Sequence, residues 1–273
     1  IPKIKANMKI SFYLLLILPL LLSSQNNTKP NFKKIELETF NKSSKFYYQT
    51  LENKFHSKDS ILTKEEYYYF VYGSPFQNKK TNRKVEELEL DSISSLLGSK
   101  TPNFEKLLSL SSKLIKKNPF NIDLYLLNEN IYEAKGLESE AVKNKAIFNS
   151  LMETIKNSGD GKTAETAYYL IPEFNLITNY QTEGYSLKNN TRINNDVYKL
   201  DFEKNDGTKL PVFIKYSQEM EEIIESRTVN EQFITGKWKV TKIITEKNLW
   251  KIKKAKYNDI VKLCPKGIIC VLK

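Results

Sequence analysis

Around Ser158-Gly-Asp-Gly-Lys-Thr-Ala-Glu-Thr-Ala-Tyr168 the chain changes its hydrophobic period. Before this stretch apolar residues recur at three- and four-residue steps, the spacing of helices with one buried face. After it come short runs rich in β-branched and aromatic residues, separated by turn dipeptides, the spacing of strands. A chain written this way is constrained to an α+β fold: an N-terminal helical array, then a small antiparallel β-sheet packed on it.

The helical part begins at Ser43, with Phe46, Tyr47, Leu51 and Phe55 in helical register and an interruption at Asp59-Ser60. Thr63-Lys-Glu-Glu66 is a capping box, in which a hydroxyl and a carboxylate satisfy backbone amides at a helix start. The next helix, Tyr67 to Tyr72, is expected to stop at Gly73 in a left-handed conformation. Four tyrosines in six residues invite a ligand-stacking reading, with Tyr68 and Tyr72 as contacts. The ordinary alternative is amphipathic rings with buried bodies and wet hydroxyls.

Further helices are expected over Val85–Leu97 closed by Gly98, from Phe104 to Ile115, from Phe120 to Tyr132 closed by Gly136, and from Ala141 to Ile155. Tyr125, Tyr132, Gly136 and Ala141 have partial tetratricopeptide spacing. Lys145 stands where that repeat packs a phenylalanine, and no second copy follows. The expectation is one TPR-like helical hairpin, with Tyr125 and Tyr132 as candidate partner contacts in its groove.

Gly159-Asp-Gly-Lys-Thr163 resembles the end of a phosphate-binding loop but lacks its first glycine, since Lys156 occupies that place, and a helix rather than a strand enters it. Asp160 and Glu165 are too few oxygens for calcium. A capped helix end, a tight turn at Asp160-Gly161 and one helical turn at Ala164–Ala167 are expected instead. Beyond it, Tyr168–Ile171 and Phe174–Ile177 read as strands, Asn189–Asn195 as a polar loop, and Val197–Phe202 with Leu210–Tyr216 as a hairpin turning at Asp206-Gly207.

Charge separates the ends from the middle. Residues 237–273 contain eleven lysines against Glu246 and Asp259, a net of +9, so the chain's overall +11 says little about the body. Lysines interleaved with Trp238 and Trp250 suit stacking on an acidic polymer or glycan; the plainer reading is two lysine-edged strands, 237–244 and 249–253. Cys264 and Cys270 either close a small disulfide loop or are two small apolar residues. Two cysteines and the single His56 leave no Cys/His zinc site.

At the other end, Met8-Lys9, the apolar run Phe12–Leu22 and Ser23-Ser24 have the order of a signal peptide. The run is shorter than the roughly 20 residues a spanning helix needs. We therefore read upstream residues and a leader over 1–24, a flexible lead-in over 25–42, a helical region over 43–157, a small β region of the same domain over 158–216, and a basic tail over 217–273. The mature chain is expected to be exported, periplasmic or extracellular, without a membrane span.

Phe46-Tyr-Tyr-Gln-Thr-Leu51 with Phe55 and Asp59, Leu62-Thr63, Glu66 through Gly73, Phe76-Gln77, Ser158–Gly161 with Glu165–Tyr168, and Val212–Ile214 together resemble a bacterial secreted family, domain of unknown function 4919, over about residues 32–216. The chain departs from that pattern at Asn78-Lys-Lys and at Asp196–Tyr198. The resemblance implies an exported protein with no assigned activity, and it supplies no catalytic residues. No nucleophile elbow is present; a carboxylate-pair hydrolase using two of Glu65, Glu66, Asp160, Glu165 and Glu173 ranks third. The leading expectation is a non-catalytic module of the cell envelope for a protein or peptide partner, without cofactor, metal or DNA. A polyanion or glycan binder acting through the tail comes second.

Overall fold

The computed structural model describes residues 29–57, 61–77, 83–225, 240–244, 260–264 and 268–272. The expected leader, the Asp59-Ser60 break, Trp238, Trp250 and the strand expected at 249–253 lie outside them. The chain divides into two compact units, 1–217 and 218–273.

The first unit is built around the tyrosine-rich helix. Helix α1 spans Phe32–Phe40, α2 Tyr48–His56 and α3 Lys64–Gly73, which runs on into a 3-10 turn at Ser74–Gln77. Helix α3 buries Tyr67, Tyr69, Phe70, Val71, Tyr72 and Gly73. A helix apolar nearly all round must be covered on nearly all sides, and α1, α2 and a later helix, α7 (Glu138–Lys156), cover it. Phe46 stacks on Tyr69 at 3.9 Å between ring centres. Phe70 meets Phe55 at 4.9 Å and Phe120 at 5.1 Å. Tyr72 does not keep a wet hydroxyl: it is wholly buried and donates to the Tyr169 carbonyl at 3.0 Å.

Two expectations change around this core. The lead-in contains α1, because Asn31 accepts from the Lys34 amide as its cap and Phe32, Ile35 and Thr39 are buried against α3. Gly73 is not a left-handed stop. It is needed because α1 crosses so closely that a Cβ would lie 2.6 Å from the Thr39 methyl.

The capping box at Thr63 forms in both halves: Thr63 Oγ1 accepts from the Glu66 amide at 3.2 Å, and Glu66 accepts from the Thr63 amide at 2.7 Å. Burial opposes ionisation of Glu66, but the Lys54 ammonium and the Thr63 donors outweigh it and hold the carboxyl below its ordinary 4.5. The lowered folded pKa means this stability is complete above the unfolded value and is lost as pH falls through the folded one. Glu66→Gln is expected to flatten that part of the stability–pH curve, measured by urea unfolding between about pH 6 and 3; an unchanged acid slope would contradict the assignment.

Helices α4 (Arg83–Leu97), α5 (Phe104–Lys117) and α6 (Ile122–Ala134) continue the array. Ile93, Leu107, Leu114, Leu124 and Ile131 form their shared core. Helices α6 and α7 make the expected hairpin. Gly136, at φ +69°, closes α6 in a Schellman motif: its amide bonds the Glu133 carbonyl and the Leu137 amide that of Tyr132. In place of a packed phenylalanine, Lys145 reaches Glu129 at 2.7 Å.

Strands β1 (Tyr168–Leu170), β2 (Tyr185–Arg192), β3 (Val197–Lys204) and β4 (Lys209–Tyr216), with a short helix α8 (Ile177–Thr182), complete the unit. The β3–β4 hairpin turns at Asp206-Gly207 as expected. The sheet is mixed, not purely antiparallel, in the order β1-β4-β3-β2 with β1 parallel to β4. The turn preceding β1 is fastened to that edge by the Phe213 amide, which donates to the Gly161 carbonyl at 2.8 Å. Phe174 stands outside any strand, and Ile177 opens α8. Asn189 to Arg192, expected as loop, belong to edge strand β2, where exposure on both faces removes the alternation that would reveal a strand.

In the second unit, residues 218–225 are helical, and β5 (Val240–Ile244), β6 (Ile260–Cys264) and β7 (Ile268–Leu272) form an antiparallel sheet ordered β5-β7-β6. Val240–Ile244, the described part of the strand expected at 237–244, therefore pairs with β7. Ile268 to Leu272 is apolar throughout, which suits the central position. The ladder places Cys264 opposite Ile268 and Cys270 opposite Lys262, so the cysteines are not cross-strand partners.

Candidate ligand cleft

The C-terminal turn of α7, the first turns of α3 and the start of α1 leave a two-chambered cleft between them. The larger chamber, about 480 Å³, is bounded by Lys29, Asn31 and Lys34 from the α1 end, by Glu65, Tyr68 and Tyr69 of α3, and by Thr154, Asn157 and Ser158. A smaller chamber of about 120 Å³ reaches toward Leu62, Lys64, Tyr67, Ser150 and Glu153. Tyr68, Thr154 and Asn157 border both. The larger volume falls in the range of roughly 300–1,000 Å³ typical of small-ligand pockets.

Tyr68 is the tyrosine of α3 that the core leaves partly uncovered. Its hydroxyl accepts from the Asn31 amide at 3.1 Å, which ties the entry of α1 to the cleft wall. Burial raises the Tyr68 pKa, against the Asn31 amide that lowers it, so the phenol stays protonated at neutral pH. Burial likewise pushes Tyr67 up to about 12, with Ser150 acting in the opposite direction. Both cleft carboxylates sit in ion pairs: Glu65 with Lys45 at 3.1 Å and Glu153 with Lys64 at 2.5 Å.

The other expected contacts are placed elsewhere. Tyr72 and Tyr125 are inside the core, and Tyr125 donates to the Pro119 carbonyl at 3.0 Å, so neither presents a surface to a ligand. Tyr132 is half-buried near the end of α6, away from the cleft lining. The cleft does not lie in the groove of the α6–α7 hairpin but at the far end of α7. Lys29, Asn31 and Lys34 were missed because the lead-in shows no run of helical periods. The usable signal was local: Asn31 as a cap, followed by Phe32, Ile35 and Thr39 at helical spacing.

The turn at 158–168 encloses no phosphate cradle. The Asp160 and Gly161 amides both donate to the Thr166 carbonyl, the Lys162 amide to Asp160 Oδ1, and the Thr163 amide to Thr166 Oγ1. The Thr166 hydroxyl and the Lys162 amide also hold the Asp160 carboxyl below its usual range. Donors turned inward to their own loop are not available to an anion.

The carboxylates of the hydrolase reading are engaged structurally. Glu66 caps α3, Asp160 organises its turn, and Glu165 has a lowered pKa from its own amide and Thr163. His56 ends α2 and is not part of the cleft lining. Among the described residues no group of three or more His, Cys, Asp and Glu is placed to hold a metal, and no helix is long and apolar enough to cross a membrane.

These features define an α+β protein in which a helical array, closed by a small mixed sheet, presents one tyrosine-centred cleft. The sequence profile of a domain of unknown function, DUF4919, matches residues 33–225, and the chain belongs to that family. No curated protein and no solved structure matches it.

Proposed function

We propose that the protein is an exported, non-catalytic binding module of the cell envelope whose Tyr68 cleft takes a short peptide segment of a partner protein. The observation behind this reading is the cleft itself: a chamber of about 480 Å³ walled by a phenol, side-chain amides, hydroxyls and charges of both signs. Such a lining matches a peptide, whose backbone offers donors and acceptors along its whole length, better than it matches an apolar ligand. Export is supported by the basic start, apolar run and small-residue exit over Met8–Ser24.

Anisotropy of a panel of dye-labelled tetrapeptides, titrated with the full chain, tests the reading. Tyr68→Ala is expected to weaken the best binder by about tenfold or more, the scale of a central aromatic contact. Tyr68→Phe separates the hydroxyl from the ring. Binding that survives Tyr68→Ala yet falls with salt would point to the lysine-rich 237–273 segment instead.

A further inference from the structure

Charges around the larger chamber are not balanced. Its carboxylate, Glu65, is paired with Lys45 from outside, and Glu153 of the smaller chamber is paired with Lys64. Lys29 and Lys34 both border the larger chamber, and among the described residues neither ammonium has a carboxylate partner. The hydroxyl of Tyr68, a residue that borders both chambers, accepts from the Asn31 amide. A phenol carries one O–H of its own, and that proton is not committed to any acceptor among the described residues. Three donors, two of them cationic, thus border one chamber whose carboxylate, Glu65, already has its own lysine partner.

We infer that the cleft selects a peptide by its C-terminal carboxylate, received by Lys29, Lys34 and the Tyr68 hydroxyl. This rests on the peptide-cleft reading above and adds the chemistry of recognition. Charge-assisted hydrogen bonds from ammonium to carboxylate are about twice as strong as neutral ones. The phenol suits the role because it is protonated at neutral pH, and burial raises its pKa further. Glu65 is paired with Lys45 and so leaves Lys29 and Lys34 available to the ligand.

The test uses the full chain and two matched tetrapeptide pools, identical except that one ends in a free carboxylate and the other in an amide, each labelled at the amino end with an uncharged dye. The carboxylate pool is expected to bind about tenfold more tightly at low salt, and most of that advantage is expected to vanish near 0.5 M salt, where screening is short-ranged. Lys29→Gln combined with Lys34→Gln is expected to abolish the preference, so that the two pools bind this variant equally. Salt dependence of the unsubstituted chain keeps the inference testable if the double variant folds poorly. Equal binding of both pools, lost in Tyr68→Ala, would overturn the carboxylate inference and leave the cleft reading standing. A preference that persists in the lysine variant would overturn the assignment to Lys29 and Lys34. Binding of neither pool, or binding indifferent to Tyr68→Ala, would overturn the cleft reading itself.

Discussion

Truncating Tyr72 to alanine is expected to destabilise the folded state by about 4 kcal/mol, in the range for large-to-small changes at a fully buried aromatic. The side chain has no exposed surface, its ring lies edge-on to Phe32 at 6.1 Å, and its hydroxyl is bonded to the Tyr169 carbonyl. Alanine would therefore remove packing between α3, α1 and β1 at a single point and leave a cavity that three different elements cannot jointly collapse. Tyr72→Phe separates the contributions: it keeps the ring and loses only the hydrogen bond, at about 1–2 kcal/mol. Urea unfolding followed by tyrosine fluorescence and by far-UV circular dichroism measures both. An alanine variant within about 1 kcal/mol of the parent would mean that the helix–sheet junction is not centred on this residue.

Gly159→Ala is expected to cost about 3 kcal/mol, the upper end for forced overpacking. A Cβ there would sit 2.6 Å from the Ala167 carbonyl oxygen and closer still to that of Thr166. These are backbone atoms, and the Thr166 carbonyl is fixed by the Asp160 and Gly161 amides that it accepts. Relief would require opening the turn that delivers β1 to β4. Gly98→Ala is the matched control, since its nearest neighbour would be 3.6 Å away in ordinary contact. Equal midpoints for the two variants in thermal unfolding would contradict this account of the turn.

Legibility of the fold followed the range of the interactions. The capping box at Thr63–Glu66, the hairpin stop at Gly136 and the turn at Asp206-Gly207 are each settled within five residues, and each formed as its residues imply. Helix α1 was legible only through its Asn31 cap, because the face it buries is no more than Phe32, Ile35 and Thr39. What makes it helical is α3, whose Tyr68 reaches back 37 residues to the Asn31 amide. The parallel placement of β1 was hidden for the same reason, its partners lying on β4.

The cleft was legible only in part. Tyr68 stood out within a run of tyrosines, but nothing local distinguished it from Tyr72, whose hydroxyl meets a carbonyl 97 residues away. The opposite wall is polar helix surface, Thr154 and Asn157, unremarkable until α3 is laid beside it. A site assembled from an early helix, a late helix end and a lead-in leaves no compact motif.

The pairing of Tyr168 with Ile214 spans 46 residues and runs in parallel. During synthesis the helices, including the α6–α7 hairpin, are complete long before β4 exists, and long-range parallel contacts form late in any case. Until Tyr216 has left the ribosome, β1 has no strand to pair with, and the Tyr72 hydroxyl must find an acceptor that is not yet held in place. Strand β4 thus acts as a latch for the mixed sheet, and a ribosome paused before Val212 would display a nearly finished helical layer with its sheet-facing side still open to chaperones.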